Sequence, residues 1–346
     1  MVETHCVQAG LGYGGYGTVV QAEDQSTGSV VAVKLLHKDD DANEDIHLER
    51  RTYRRLVEGC DVAVNLFAQV IGSGSHDGFH CIVFELCHGS LYDIMKGLSG
   101  LAPLPGRHVL EMAYQMLSAI AYLHSLGIIH TDLKPDNIAV KYSDTTVVQW
   151  LDPLTGYHDK KILVTAQICI LDLGNVVDAI VPTGNSGRVG TSQYRAPEVT
   201  LGCPWSFGVD AFSLGCVIAE IHLSDTLVPS ASTTDQERLA TVEKLVGPFP
   251  EDYAQSIEDR FPDTFAFEDT MAIVIYPPTD ESISEPDHIA ALRRLEQIRP
   301  ISTRVHNGLL YDLIRELTRP NPAERLKMED AVKHRYFDAL DVMQLG

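Results

Sequence analysis

Eight residues near the middle of the chain, His130-Thr131-Asp132-Leu133-Lys134-Pro135-Asp136-Asn137, restrict what it can fold into more than any other feature. They follow the apolar Gly127-Ile128-Ile129, yet they set a carboxylate, an ammonium and an amide at positions i, i+2 and i+5. Buried charge is costly unless paired, so this run is poor core material. A surface turn would hold such residues cheaply but gives no reason for their spacing. As the lining of a site the spacing has a use. Asp132 can accept the proton of an incoming hydroxyl, Lys134 can stabilise phosphoryl oxygens, and Asn137 can hold a metal. His130 is expected to pack and hydrogen-bond as a structural residue rather than act as a base.

A second carboxylate, Asp172 in Ile170-Leu171-Asp172-Leu173-Gly174, closes an apolar strand 40 residues after Asp132. It is placed to bind Mg²⁺ bridging two phosphates, although an Asp-x-Gly alone is common in turns. Upstream, Gly12-Tyr13-Gly14-Gly15-Tyr16-Gly17-Thr18-Val19 lies between two strand-like stretches. Glycines let a backbone approach phosphates closely. The β-branched Val19 and Val20 that follow argue against the helix a dinucleotide-binding turn needs, and a plain glycine-rich hairpin is the ordinary alternative. Lys34 ends Val31-Ala32-Val33-Lys34, 17 residues past Gly17. A strand lysine usually keeps its tip in water; here the following helix offers a partner. At 100° per residue, Glu49 shares a face with Ile46, Tyr53 and Leu56, whereas Glu44 points about 140° away. A carboxylate on a buried face needs a cation, and Lys34 is the natural one. A partly exposed helix-edge carboxylate is the alternative. Far apart in sequence, Glu198 and Arg325 are a candidate buried ion pair, or two separate surface charges.

At 346 residues with 45% hydrophobic and 22% charged side chains, the chain can bury a core as one large unit or two fused lobes. Strand-like stretches at residues 4–11, 18–22, 30–36 and 80–86 fall in a β-rich lobe ending near residue 87. Residues 39–45 lead into a helix with apolar positions Ile46, Tyr53, Leu56 and Val57. Helical patterns at 107–126, 209–221, 235–246 and 308–317 fill a larger lobe. Residues 143–161 look like a polar, turn-rich insertion between two short strands, and 262–307 are interrupted by prolines. No apolar run approaches the roughly 18 residues of a membrane helix, and no signal peptide follows Met1. The nucleus or cytoplasm is therefore the expected location, with no membrane contact. Seven scattered cysteines without a CxxC pair predict reduced, buried thiols. The net charge of −21 argues against nucleic acid and for a basic partner, or marks simply an acidic soluble protein.

Taken in order, Gly12/Gly14/Gly17, Lys34, Glu49, the HTDLKPDN run, DLG and Tyr194-Arg195-Ala196-Pro197-Glu198 resemble the eukaryotic protein kinase family over residues 7–338. The resemblance implies an α+β bilobal kinase fold: a single domain over 1–346, with an N-lobe at 1–86 and a C-lobe at 87–346. It also implies ATP and Mg²⁺. Gly12, Gly14 and Gly17 would cover the phosphates, with Val19 and Ala32 beside the nucleotide. Lys34 and Glu49 would anchor it, and Phe84, Glu85 and Cys87 would meet the adenine. Asp132 would be the base, aided by Lys134 and Thr191, and Asn137 and Asp172 would ligate the metal. Lys34, Asp132, Asn137 and Asp172 would converge on that nucleotide in a cleft between the lobes.

Arg195 is similar to the cyclin-dependent, MAP and related group. Thr131, the insertion, and Glu237-Arg238-Leu239-Ala240-Thr241-Val242-Glu243-Lys244-Leu245-Val246-Gly247-Pro248 resemble the LAMMER (CDC-like) kinases. Asp172-Leu173-Gly174-Asn175 instead resembles the SR-protein kinases. The expected activity is serine/threonine phosphorylation by a monomer, with basic, Arg/Ser-rich splicing factors as the inherited substrate preference. Several letters of the LAMMER signature are altered in this run. Thr131 stands where the family's arginine would meet an activation-loop phosphate, so activity without such phosphorylation is expected. The rival readings are a nucleotide-binding scaffold without turnover and a small-molecule kinase. The run 191–198, which resembles a peptide-binding segment, speaks against the latter.

Overall fold

Strand periodicity in the first eighty-odd residues becomes a five-stranded antiparallel sheet. A computed structural model describes residues 5–14, 17–36, 42–59, 62–76, 79–152, 156–228, 234–262, 264–266, 272–273 and 285–340. Gly15, Tyr16, the acidic residues 39–41, Cys60, and positions 263, 267–271 and 274–284 lie outside the described residues, as do the side chains of Glu44 and Ile46. By their internal contacts the residues form two compact units. The first comprises Met1–Leu101, Tyr114–His130 and Pro135–Val177; the second comprises Ala102–Ala113, Thr131–Lys134 and Asp178–Gly346.

In the first unit β1 (His5–Gly14), β2 (Gly17–Asp24), β3 (Ser29–Leu36), β4 (Val70–His76) and β5 (Phe79–Glu85) pair in the order β1-β2-β3-β5-β4. Side chains alternate across a strand, so register decides which residues share a face. Val20, Ala22, Val31, Val33, Cys81 and Val83 bury together on one face. Val19 pairs with Lys34 and Lys34 with Ile82, while Ala32 pairs with Phe84, which sets these five on the opposite face. Helix α1 (Ala42–Glu58) buries Glu49, Tyr53 and Leu56, as its periodicity predicts, but Val57 is exposed. Val57 lies in the last turn, 40° beyond Tyr53 at the edge of the buried stripe.

Past α2 (Leu91–Met95) and α3 (Gly106–Ser125), a small sheet joins β6 (Gly89–Ser90), β7 (Ile138–Val140) and β10 (Ile168–Ile170). Gln115 of α3 clamps its edge, donating to Ala166 O and accepting from Ile168 N, each at 3.0 Å. The chain turns after α3 at Gly127, whose φ of +72° suits glycine. Between β7 and β10 the expected turn-rich insertion is instead an eight-register hairpin of β8 (Thr145–Asp152) and β9 (Gly156–Leu163). Its polarity misled because a two-stranded ribbon leaves most side chains in water.

The second unit is helical: α4 (Pro197–Thr200), α5 (Gly208–Leu223), α6 (Asp235–Val246), α7 (Glu251–Glu258), α8 (Glu285–Gln297), α9 (Ile301–Arg304), α10 (Gly308–Leu317) and α11 (Met328–Ala331). Residues 209–221 of α5 are all buried, which is why that helix is apolar on every side. The region 262–307 contributes to a core: Phe265, Ile273 and Leu295 bury against Leu239, Phe249 and Ile257. None of the described helices is long and apolar enough to cross a membrane. All six described cysteines are free thiols, but the expectation that they are buried holds only for Cys81, Cys169 and Cys216. Cys6 is exposed, and Cys87 and Cys203 are half-buried.

Candidate active site

In the first unit β3 delivers Lys34 to two carboxylates. Its Nζ lies 3.0 Å from Glu49 Oε2 and 2.7 Å from Asp172 Oδ1. Burial works against the lysine's charge, yet Glu49 and Asp172 outweigh it and hold its pKa above the ordinary value. Burial pushes the Glu49 carboxyl up in spite of Lys34. Burial would raise Asp172 as well, but the charge and hydrogen bond of Lys34 prevail and keep it below the usual carboxylate value.

Asp172 has φ +54°, a backbone state that a non-glycine residue rarely adopts. Its surroundings hold it there. Leu171 N donates to Asn137 O at 2.8 Å, the His130 ring meets Leu171 O at 3.4 Å, and Gly174 N donates to Asp172 Oδ1 at 3.3 Å. His130 is fully buried, in line with the structural part expected of it. A Cβ on Gly174 would come within 3.2 Å of Asp172 Oδ1 and 3.5 Å of Lys34 Nζ, a tight fit against the Asp172 carboxylate. The bonds from Lys34 and Gly174 fall on Oδ1, which leaves Oδ2 for a further partner. Asp172 carboxylate and Asn137 amide oxygens are hard donors of the kind Mg²⁺ takes, and the 171–137 bond ties their backbones together.

The same sheet face carries Val19 and Ala32, both half-buried, and the buried Phe84. Phe84 packs on Tyr53 of α1 with ring centroids 5.6 Å apart. Gly12 faces open space, whereas a side chain on Gly17 would collide with the Leu35 carbonyl. Gly14 ends β1 opposite Gly17. Glu85 N donates to Gln69 O at 3.0 Å, and Cys87 follows two residues later.

The second unit gathers Asp132, Lys134 and Thr191. Thr191 donates to Asp132 Oδ1 through its hydroxyl at 2.6 Å and its N–H at 2.9 Å. Lys134 Nζ lies 2.9 Å from Asp132 Oδ2 and donates to Thr191 Oγ1 at 3.0 Å. Each Asp132 oxygen is thereby oriented. Of the four residues expected to converge, Lys34, Asn137 and Asp172 belong to the first unit and Asp132 to the second.

Asp210, fully buried on α5, is a site residue noted in the apolar helix after the 190–198 run but assigned no role from sequence. Its Oδ1 accepts from Thr131 N at 2.8 Å and steadies Thr131 at φ +72°, one residue before Asp132. Two acidic residues, Asp210 and Glu220, in a helix that is mostly apolar were the available signal. Tyr194 OH likewise donates to the buried Glu220 at 2.7 Å. Glu198 and Arg325 form the buried pair, at 2.6 and 2.7 Å.

A strand lysine held by a helix glutamate and a DLG aspartate, with an oriented Asp132–Thr191–Lys134 group on a helical unit, defines a protein of the kinase class with an α+β, bilobal fold. The chain belongs to the protein kinase domain family, whose model matches residues 6–337. It is 30% identical to dual specificity protein kinase lkh1 of Schizosaccharomyces pombe, covering 94% of this chain and 46% of that protein. With dual specificity protein kinase CLK1 of Homo sapiens it shares 32% identity over 95% of this chain and 65% of the relative. Serine/threonine-protein kinase AFC2 of Arabidopsis thaliana is 28% identical over 94% of this chain and 75% of that protein. The chain thus spans about half to two thirds of the length of the first two. These similarities fall on the CDC-like, LAMMER side of the resemblance. A crystal structure of a kinase domain matches with a TM-score of 0.80 at 21% identity, over 97% of this chain and 96% of that one, which shows the fold.

Proposed function

We propose that this chain is an ATP-dependent protein serine/threonine kinase that transfers the γ-phosphoryl group of Mg-ATP to hydroxyls of basic, Arg/Ser-rich protein substrates. The observation that carries the reading is Asp132, a half-buried carboxylate with one oxygen turned by Thr191 and the other by Lys134. Protein phosphoryl transfer needs a positioned carboxylate to orient the hydroxyl and take its proton, and positioning supplies most of the acceleration. Lys134 then offsets charge on the phosphoryl oxygens. Lys34, kept charged by Glu49 and Asp172, binds the α/β-phosphates. Gly12, Gly14 and Gly17 lie over the phosphates, and Val19, Ala32, Phe84, Glu85 and Cys87 receive the base. Asp172 and Asn137 would hold Mg²⁺, which when bound neutralises phosphate charge.

Basic substrates are supported by the net charge of −21, which attracts cationic segments. The splicing-factor preference rests on the LAMMER-like segment and on the relatives' family. The test is transfer from γ-labelled ATP with Mg²⁺ across a panel of Ser/Arg, Ser/Lys and acidic serine peptides. Labelling ordered with Ser/Arg first is expected. Nucleotide binding with no transfer to any peptide would make the chain a scaffold instead.

A further inference from the structure

The run 237–248 enters the proposed function only as a mark of resemblance, yet it is not a surface feature. Residues 237–242 of α6 are buried without exception. Glu237 takes a fork from Arg294 at 2.6 and 2.9 Å. Arg238 has no such counterion. It is 3% exposed, no carboxylate of the described residues pairs with it, and its Nε and Nη1 find no acceptor. Burial lowers its pKa to about 10, so the guanidinium still carries its charge at neutral pH. A buried charge without a counterion costs stability, so the fold alone gives no reason to keep it.

One donor of Arg238 is used. Its Nη2 donates to Arg195 O at 2.6 Å. Arg195 in turn donates through Nε to Val189 O at 2.9 Å and through Nη2 to Gly190 O at 2.6 Å. Gly190 lies so close to Thr131 that a Cβ would come within 2.8 Å of the Thr131 carbonyl oxygen. The next residue is Thr191, whose N–H and hydroxyl orient Asp132 Oδ1. A second tether from α6, the Arg188–Asp235 fork, is solvent-exposed, and exposed ion pairs contribute little.

We propose that Arg238 is a positioning residue for phosphoryl transfer: through the Arg195 carbonyl it holds residues 189–191 where Thr191 can orient Asp132. The inference rests on the reading of Asp132 as the base. Every residue in this chain of bonds belongs to the second unit, whereas Lys34, Asn137 and Asp172 belong to the first. Loss of Arg238 should therefore spare the nucleotide. The alternative is a plain packing role, in which Arg238 serves the stability of α6. The two readings differ in sign. Removing an unpaired buried cation relieves a cost, partly offset by the freed Arg195 carbonyl; removing a stabilising contact only adds one.

The test compares the full chain as wild type, Arg238→Met and Arg238→Lys by melting, amide hydrogen exchange and steady-state transfer. Arg238→Met should melt within about 2 °C of wild type or above it. The Thr191 and Tyr194 amides, which donate to Asp132 and to Thr191 O, should exchange several-fold faster, with α5 and α10 unchanged. For a Ser/Arg peptide, kcat should fall roughly ten- to hundredfold while KM for ATP stays within about twofold. Arg238→Lys keeps a donor for the Arg195 carbonyl and should restore most of the exchange protection and the rate. Wild-type exchange over residues 188–195 in Arg238→Met overturns the proposal. So does a lower melting temperature with faster exchange throughout α5 and α6, or a lysine variant no better than methionine. Faster exchange in Arg238→Met beside a wild type without turnover would instead overturn the kinase reading, and the positioning role with it.

Discussion

The Arg325 guanidinium donates to both carboxylate oxygens of Glu198, at 2.6 and 2.7 Å, and both side chains are 1% exposed. Arg325 also donates to the carbonyls of Arg319, Pro320 and Gly208, and lies over the Phe212 ring. Desolvation of two charges is costly, so the pair stabilises little relative to apolar residues of the same shape; losing one partner is the severe event. Arg325→Met is expected to destabilise the protein by about 3–5 kcal/mol, read from urea unfolding. Adding Glu198→Gln should cost less than it does in the wild-type background, because the stranded charge has gone.

Lys34→Met removes the cation between Glu49 and Asp172. Nucleotide affinity, followed by a fluorescent ATP analogue, should fall by about 1.5–3 kcal/mol, roughly ten- to hundredfold. The stability deficit should depend on pH in a definite direction. Burial already raises the folded-state pKa of Glu49 above its ordinary 4.5, and loss of Lys34 raises it further. A raised carboxyl favours the folded state only while protonated, so stability is lost as pH rises through that range. Melting scans of Lys34→Met should show a smaller deficit near pH 5 than near pH 8; the reverse order would contradict the assignment.

Much of this was legible beforehand because single residues had one affordable environment. Lys34 lies in a β-branched strand and Glu49 falls on the buried stripe of α1, so each needs the other. Alternation along residues 30–36 puts Ala32 and Lys34 on one face; that Val19 and Phe84 join them is decided by the pairing registers. What was not legible depends on partners rather than on the segment itself. Val70–His76 is rich in glycine and serine and becomes β4 only because β5 offers it a ladder. The 145–163 hairpin hides its strands in polar side chains. In α8, Arg294 meets the buried Glu237 of α6 at 2.6 Å, a contact no local pattern announces. The role of Asp210 escaped for the same reason, since its use is a backbone N–H 79 residues away.

Gly12 and Gly17 should respond differently to a methyl group. Gly17→Ala drives a Cβ into the Leu35 carbonyl of β3 and is expected to destabilise by about 1–3 kcal/mol. Gly12→Ala meets open space and should change stability by no more than about 0.5 kcal/mol. Any loss of transfer it causes is then a loss at the phosphates. Equal melting shifts for the two variants would contradict the packing given to Gly17.

Residues 178–195 are tied down by protein groups. Asn185 accepts from Ile180 N at 3.1 Å and donates to Asp178 O at 2.9 Å. Arg188 forks onto Asp235 at 2.7 and 2.9 Å, and Arg195 donates to Gly190 O at 2.6 Å. With Thr131 in place of a phosphate-pairing arginine, phosphatase treatment should leave the transfer rate unchanged within error. A several-fold fall, restored by rephosphorylation, would show that a phosphate completes the segment.

The most direct test compares wild type with Asp132→Asn in two parallel measurements, labelled-phosphate transfer to a Ser/Arg peptide and nucleotide binding. The amide keeps the shape of Asp132 but cannot take a proton. Transfer should fall roughly a hundred- to ten-thousandfold while ATP affinity stays within about twofold. Turnover at the wild-type rate in Asp132→Asn would contradict the account.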